Sequence, residues 1–453
     1  MPLPDRKAGL AALLLIALAT PALAKVPAAE AERLNKELTP VGALRAGNKD
    51  GSIPAWDGGL QQAPACYSGS GKRYCDPYAS DQPLLTISAA NLAQHRARLS
   101  AGQQAMLAKV PSYQLRIYPT RRSYAAPEFV YAASYQNALK AELGGNGEAL
   151  VGAITGVPFP IPKSGFEAMW NHKLRYRGIG MTRWNAQAAV TSGGDFNLVK
   201  LREDASFVYS RKDARPEQLD NVANYFMQVV TQPPRLAGTI TLVHETMDQV
   251  KEPRRAWQYN PGQRRLRRAP NVGYDNPGTG SDGLRTNDQF DVFNGAMDRY
   301  SWKLLGSREL YVPYNAYALH GDKHKYRDLV RPGHLNPALP RYELHRVWVV
   351  EAELKAGTSH IYAKRRFYLD EDSWQILLAD CYDRRGQLWR WQEAHPIQAY
   401  DKPFATPILE TVYDLQSGRY LLMAMNNEEQ ENVERDFEPA YFEPANVQKQ
   451  ASK

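Results

Sequence analysis

Residues 341–395 constrain the fold of this chain more than any other stretch. Four apolar runs, Arg341–Leu354, His360–Leu369, Trp374–Tyr382 and Gln387–His395, follow one another closely. They are separated by Lys355-Ala356-Gly357-Thr358, a segment carrying Asp370 and Asp372, and Asp383-Arg384-Arg385-Gly386. Connections this short leave only antiparallel pairing, because a parallel crossover needs a dozen residues or more. The alternation has period two. Leu344, Trp348, Val350, Ala352 and Leu354 share one face, interrupted by Arg346. Ile361, Ala363, Phe367 and Leu369 share a face of the next run, with Tyr362, Lys364, Arg366 and Tyr368 opposite. A sheet with one apolar face packs against helices or curls around something.

Upstream, Leu174–Ala188 and Phe196–Ser210 read as strands across Ser192-Gly193-Gly194-Asp195. Gly238–Met247, Arg254–Asn260 and Arg264–Ala269 follow, the last two joined by the tight turn Asn260-Pro261-Gly262-Gln263. The expected fold class is α+β, predominantly antiparallel β, with residues 166–425 as the sheet domain. Phe290, Phe293 and Met297 lie at i, i+3 and i+7, which predicts a covering helix near 287–300. That helix reads equally as a core seal or as a plug that yields to a ligand.

The first 24 residues predict a secretory signal: Arg6 and Lys7, an apolar run from Ala8 to Ala19, Pro21, then Ala22-Leu23-Ala24. The run is too short for a membrane span. Cleavage lowers the formal net charge of +8 by one. Residues 25–165 form an irregular and helical region, with Ser88 and Ser100 as N-caps and Pro127 opening a helix. In an oxidising compartment Cys66 and Cys75 are expected to pair, while Cys381 lies in an apolar run as a buried thiol. Residues 426–453 form an acidic tail, wrapped on the surface or frayed.

The search for chemistry yields no constellation above background. Gly278-Thr279-Gly280-Ser281-Asp282-Gly283 matches G-x-G-x-x-G, yet Asn276-Pro277 precedes it where a strand is required. No G-x-S-x-G occurs. His244-Glu245 lacks the second histidine of a zinc protease, and His320 and His324 flank Gly321 in a charged turn. No catalytic residue, metal site or cofactor is assigned. The strongest charge feature is Arg254, Arg255, Arg264, Arg265, Arg267 and Arg268, brought together by the turn at 260–263. It is a solvated hairpin rim or a docking surface for an anionic head group; an extracytoplasmic chain argues against nucleic acid.

Several strings carry a family likeness. They are Leu38-Thr39-Pro40 with Gly51-Ser52-Ile53-Pro54-Ala55-Trp56, and Pro158-Phe159-Pro160-Ile161-Pro162 before Trp170-Asn171-His172. Trp257-Gln258-Tyr259-Asn260-Pro261, Tyr300-Ser301-Trp302-Lys303-Leu304, Val312-Pro313-Tyr314-Asn315 and Arg341-Tyr342-Glu343-Leu344-His345-Arg346-Val347-Trp348 continue it. Together these resemble the domain of unknown function 1329 family, whose members are often labelled outer-membrane lipoprotein-sorting-like proteins. The resemblance implies a periplasmic protein of Gram-negative bacteria. Its sheet would be similar to the LolA/LolB carriers, a curved half-barrel whose concave face holds acyl chains under covering helices. It also implies an outer-membrane protein and a resistance-nodulation-division-type transporter as partners, and no catalytic residues.

The first expectation is therefore a soluble periplasmic carrier or chaperone for a hydrophobic, lipid-like ligand. Trp257, Tyr259, Phe290, Phe293, Trp302, Trp348 and Phe367 are the candidate wall, and Arg254, Arg265 and Arg267 the candidate head-group contacts. Each wall residue can equally be core. An envelope scaffold or adaptor without a small ligand is the alternative, and an extracytoplasmic hydrolase the third. A hollow sheet interior favours the carrier; a packed one favours the adaptor.

Overall fold

The computed structural model describes residues 25–451, so the expected leader at 1–24 lies outside the described residues. The long strands are β1 Gly180–Val190, β2 Phe196–Ser206, β3 Val222–Gln232, β4 Ile240–Thr246, β5 Arg255–Asn260 and β6 Arg265–Arg268. They continue as β7 Tyr300–Pro313, β8 Tyr342–Leu354, β9 Lys364–Asp370, β10 Ile376–Tyr382, β11 Leu388–Ala399, β12 Phe404–Asp414 and β13 Tyr420–Met425. They join one curved sheet in the order β7-β8-β9-β10-β11-β12-β13-β1-β2-β3-β4-β5-β6. Every neighbouring pair is antiparallel. Two consecutive meanders, β8–β13 and β1–β6, meet along β13 and β1. The sheet stays open, with β7 and β6 at its edges.

Four helices matter for the faces: α1 Ala101–Lys109, α2 Glu128–Lys140, α3 Gly165–Leu174 and α4 Pro444–Ala451. Ser100 caps α1 in a capping box with Gln103, as its position predicts. The α1 N-terminus then donates Ala101 and Gly102 N–H to the buried Asp380 of β10, at 3.2 and 2.8 Å. Gly102 sits on Trp391 so closely that a Cβ there would lie 2.0 Å from the indole. None of these helices is long and apolar enough to cross a membrane, and none elsewhere among the described residues is.

The two faces of the sheet are filled differently. On the outer face, α1, the short strands Leu85–Ile87 and Leu115–Ile117, and residues 310–335 pack over β8–β13. The tail joins that layer: Val433–Glu434 pairs with β1, and Phe442 and Val447 bury fully against β3–β5. On the inner face, α3 and the segment 291–297 pack over β7–β11, with Trp302, Val350, Phe367 and Ala379 beneath them.

Sequence and structure differ in places with clear causes. No helix spans 287–300. Asn287–Gln289 is one 3-10 turn, and Asp291 and Val292 then adopt φ of 54° and 61°, which ends helical winding. The run Leu174–Ala188 is split, since α3 ends at Leu174 and β1 starts at Gly180. Strands β3, β7, β12 and β13 occupy stretches whose sequence pattern does not display a strand.

Edge strand β6 presents Arg265, Arg267 and Arg268 to solvent, and charge on an edge discourages strand addition by another chain. Replacing all three by serine is expected to increase self-association in sedimentation velocity relative to the parent. A variant as monodisperse as the parent excludes this role.

Candidate ligand cavity

The inner face is not filled over β1–β4. Inward positions there pair across the strands: Arg183 faces Glu203, Met181 faces Ala205, Glu203 faces Gln228, Ala205 faces Phe226, and Phe226 faces Val243. With Glu245 and Arg254 they floor a chamber of about 110 Å³. The segment 272–294 covers it through Val272, Arg285, Phe290 and Asp291. Phe290 reaches down to Phe226, with ring centroids 5.1 Å apart.

A second chamber of about 90 Å³ adjoins the first. Arg177, Met181, Arg183, Thr406 and Pro407 line both. Their meeting point follows from the shortness of β13. Its ladder with β12 begins at the Glu410–Met423 pair, and its ladder with β1 stops at Met425–Ala186. The first halves of β12 and β1 therefore lack a β13 partner and flank a slit. Beyond the slit lie Tyr67 and Tyr74, inside the loop closed by the Cys66–Cys75 disulfide. Both hydroxyls donate to Asp401, at 3.0 and 2.7 Å, which fixes the loop against the β11–β12 turn.

The chamber is electrically structured. Arg183 pairs with Glu203, which also accepts from Asn185 at 3.0 Å and Gln228 at 2.7 Å. Arg254 and Lys173 hold Glu245 at 2.5 and 3.0 Å. Burial pushes the Glu245 carboxyl up, and these two cations more than reverse it. Arg175 Nη2 donates to both oxygens of Asp291, at 2.6 and 2.8 Å, and Arg177 Nη1 adds a third bond at 2.9 Å. Burial opposes its ionisation, yet the guanidiniums hold it well below the usual carboxylate range. Glu410 accepts from Val292 N–H at 3.0 Å; burial, then Asp291, push its carboxyl up to about 7.

Of the residues singled out from the sequence, the structure brings Phe290 and Arg254 to this cavity. Phe293, Trp302, Trp348 and Phe367 lie on the same inner face, in its filled part. Trp302 stacks on Phe367 at 5.9 Å and meets Phe293 at 5.2 Å, while Trp348 stacks on Trp374 at 6.3 Å. Trp257 and Tyr259 point to the outer face, where the tail covers them. Arg265 and Arg267 are on the exposed edge. The lining residues Arg177, Arg183, Glu203, Arg285 and Glu410 escaped sequence reasoning. For Arg183, Glu203 and Glu410 the signal is a charge at an inward strand position, beside a small or apolar residue on the same face in Met181/Arg183 and Glu203/Ala205; Arg177 and Arg285 lie in connections and carry no such signal.

Comparison with other proteins places the chain. The family described as protein of unknown function (DUF1329) matches residues 86–448. The uncharacterized protein PA3922 of Pseudomonas aeruginosa is 50% identical over 436 residues, covering 94% of this chain and 96% of that one. A putative outer membrane lipoprotein-sorting protein domain from Vibrio parahaemolyticus superposes with a TM-score of 0.43 at 15% identity, over 63% of this chain and 98% of that one. A DUF1329 family protein from Desulfovibrio piger gives a TM-score of 0.40 at 14% identity, over 59% and 91%.

Proposed function

We propose, for a chain that belongs to the DUF1329 family, a periplasmic carrier function: the space on the inner face takes up an amphipathic, lipid-like ligand and hands it to envelope machinery without covalent chemistry. The observation that carries this reading is a hollow in an inner face otherwise tightly filled, which shares lining residues across the slit with a second chamber beyond it. Met181, Ala205, Phe207, Phe226, Val243 and Phe290 give it apolar wall, and the arginine–carboxylate pairs give it a polar side. An alkyl chain gains about 0.8 kcal/mol per CH₂ buried on such a wall. At about 110 and 90 Å³ the chambers are smaller than an ordinary ligand pocket of several hundred Å³. Loading a whole amphiphile therefore requires the cover at 272–294 to lift. The disulfide and the leader expectation agree on an oxidising compartment outside the cytoplasm. An outer-membrane protein and a resistance-nodulation-division-type transporter are the proposed partners.

The test is lipid extraction and native mass spectrometry of the protein taken from its own periplasm, followed by displacement of the neutral probe N-phenyl-1-naphthylamine. Ala205→Met, which fills the floor, is expected to weaken probe binding at least tenfold without lowering the unfolding midpoint. No co-purifying lipid together with no probe binding sinks the carrier.

The filled inner face over β7–β11 favours a second reading, an adaptor that joins envelope partners. A pull-down of a transporter subunit that survives Ala205→Met supports it over the carrier.

A further inference from the structure

We infer that the inner chamber is a receptor for an oxyanion, with Arg285 as its donor, and that the carried amphiphile has a carboxylate or phosphate head. The second clause rests on the carrier reading; the first stands without it.

The cations of the chamber are not alike. Arg183, Arg254 and Arg177 are matched by Glu203, Glu245 and Asp291. Arg285 is 4% exposed and pairs with no carboxylate among the described residues. Its Nη1 donates to Thr286 O at 3.3 Å, and its Nε has no partner. Glu410, the carboxylate that acts on it most strongly, lies beyond ion-pairing distance. Burying a guanidinium without a counter-charge is strongly unfavourable, so the fold keeps donors in reserve that an incoming oxyanion can satisfy. The planar fork of arginine suits two oxygens of one carboxylate or phosphate.

The cover segment is shaped around this side chain. Gly278 lies against the guanidinium, and a Cβ there would sit 2.5 Å from Nη1. Gly278 N–H bonds to the Arg285 carbonyl at 3.0 Å, closing the loop that seats it. The glycine-rich stretch 278–283, which matches a dinucleotide motif only in letters, thus forms the seat of an anion-binding arginine.

The experiment titrates the mature, disulfide-bonded chain with oleate, oleyl alcohol and inorganic phosphate, in the parent, Arg285→Gln and Arg285→Lys. Expected is oleate at least tenfold tighter than oleyl alcohol in the parent. Arg285→Gln should abolish that preference with oleyl alcohol unchanged, and Arg285→Lys should keep part of it. The empty Arg285→Gln protein should melt no lower than the parent, whereas loss of a merely structural arginine would lower the midpoint. Equal binding of oleate and oleyl alcohol by the parent overturns the inference and leaves the carrier standing. If neither lipid binds, the carrier fails; phosphate that raises the parent's melting temperature but not that of Arg285→Gln then preserves the anion receptor for a free anion, and phosphate without effect overturns it.

Discussion

Replacing Asp288 by alanine is expected to destabilise the protein by about 3–5 kcal/mol, the range for removing one partner of a buried ion pair. Asp288 is 2% exposed and sits in the cover segment. Its carboxylate accepts from Arg365 at 2.5 Å, from His360 at 3.1 Å and from Thr286. Burial disfavours the charged carboxylate, yet Arg365 and the His360 bond outweigh it and hold Asp288 well below the usual carboxylate range. Arg365 is itself 1% exposed on β9, packed among the rings of Tyr362, Tyr300 and Phe293 at 5.0–5.6 Å. Without Asp288 that guanidinium is left buried with no carboxylate partner. The pair also pins the cover to the filled part of the sheet, so amides of 286–294 should exchange faster in the variant. Urea denaturation at neutral pH measures the first effect. The double variant Asp288→Leu/Arg365→Met should recover much of the loss, since two apolar side chains strand no charge. A single variant within about 0.5 kcal/mol of the parent, the scatter of ordinary surface changes, would show that the pair does not anchor the segment.

What could be read from the sequence followed the physics of each element. The meander at 341–395 is legible because one face is apolar and period two survives nearly every position. The hairpin of β5 and β6 is legible from its turn residues. Strand β12 hides because Phe404 and Pro407 break the pattern, and proline argues against a strand interior. Strand β13 hides because Tyr420–Met425 is buried on both faces and has no alternation to display. The segment 287–300 has helical spacing, but Asp291 is held by Arg175 and Arg177 in a conformation that stops a helix. Phe293 and Met297 still bury, and Phe290 still meets the cavity. The family, too, was legible in short strings spread along the chain. The cavity was not. Large aromatics look like walls, yet close packing spends them on filling space, and the hollow persists where strands carry arginine and glutamate inward. Such residues read as solvent-facing until the register shows which side they occupy.

Glu410→Gln should stabilise the protein above neutral pH by about 3 kcal/mol, at about 1.36 kcal/mol per unit of pKa displacement. The Glu410 carboxyl is moved from an ordinary 4.5 to about 7, first by burial and then by Asp291, against the pull of Val292 N–H, Arg183 and Arg285. A folded state that holds its proton more tightly than the unfolded chain contributes stability fully present below pH 4.5. That stability is lost as pH rises towards 7, and above 7 the loss is complete. Glutamine keeps an oxygen for Val292 and has nothing to ionise. The difference in unfolding free energy between variant and parent should therefore be near zero at pH 4.5, grow to pH 7 and then level. Asp370 and Glu371, raised chiefly by burial to about 6 and about 7, titrate in the same window but are present in both proteins and cancel. A flat difference curve would mean that Glu410 ionises freely in the folded chain. A rising one links pH to cargo: with Glu410 neutral, the carboxylate that acts most strongly on Arg285 carries no charge, so oleate should bind the parent more tightly at pH 6 than at pH 8, and Glu410→Gln should bind it equally at both.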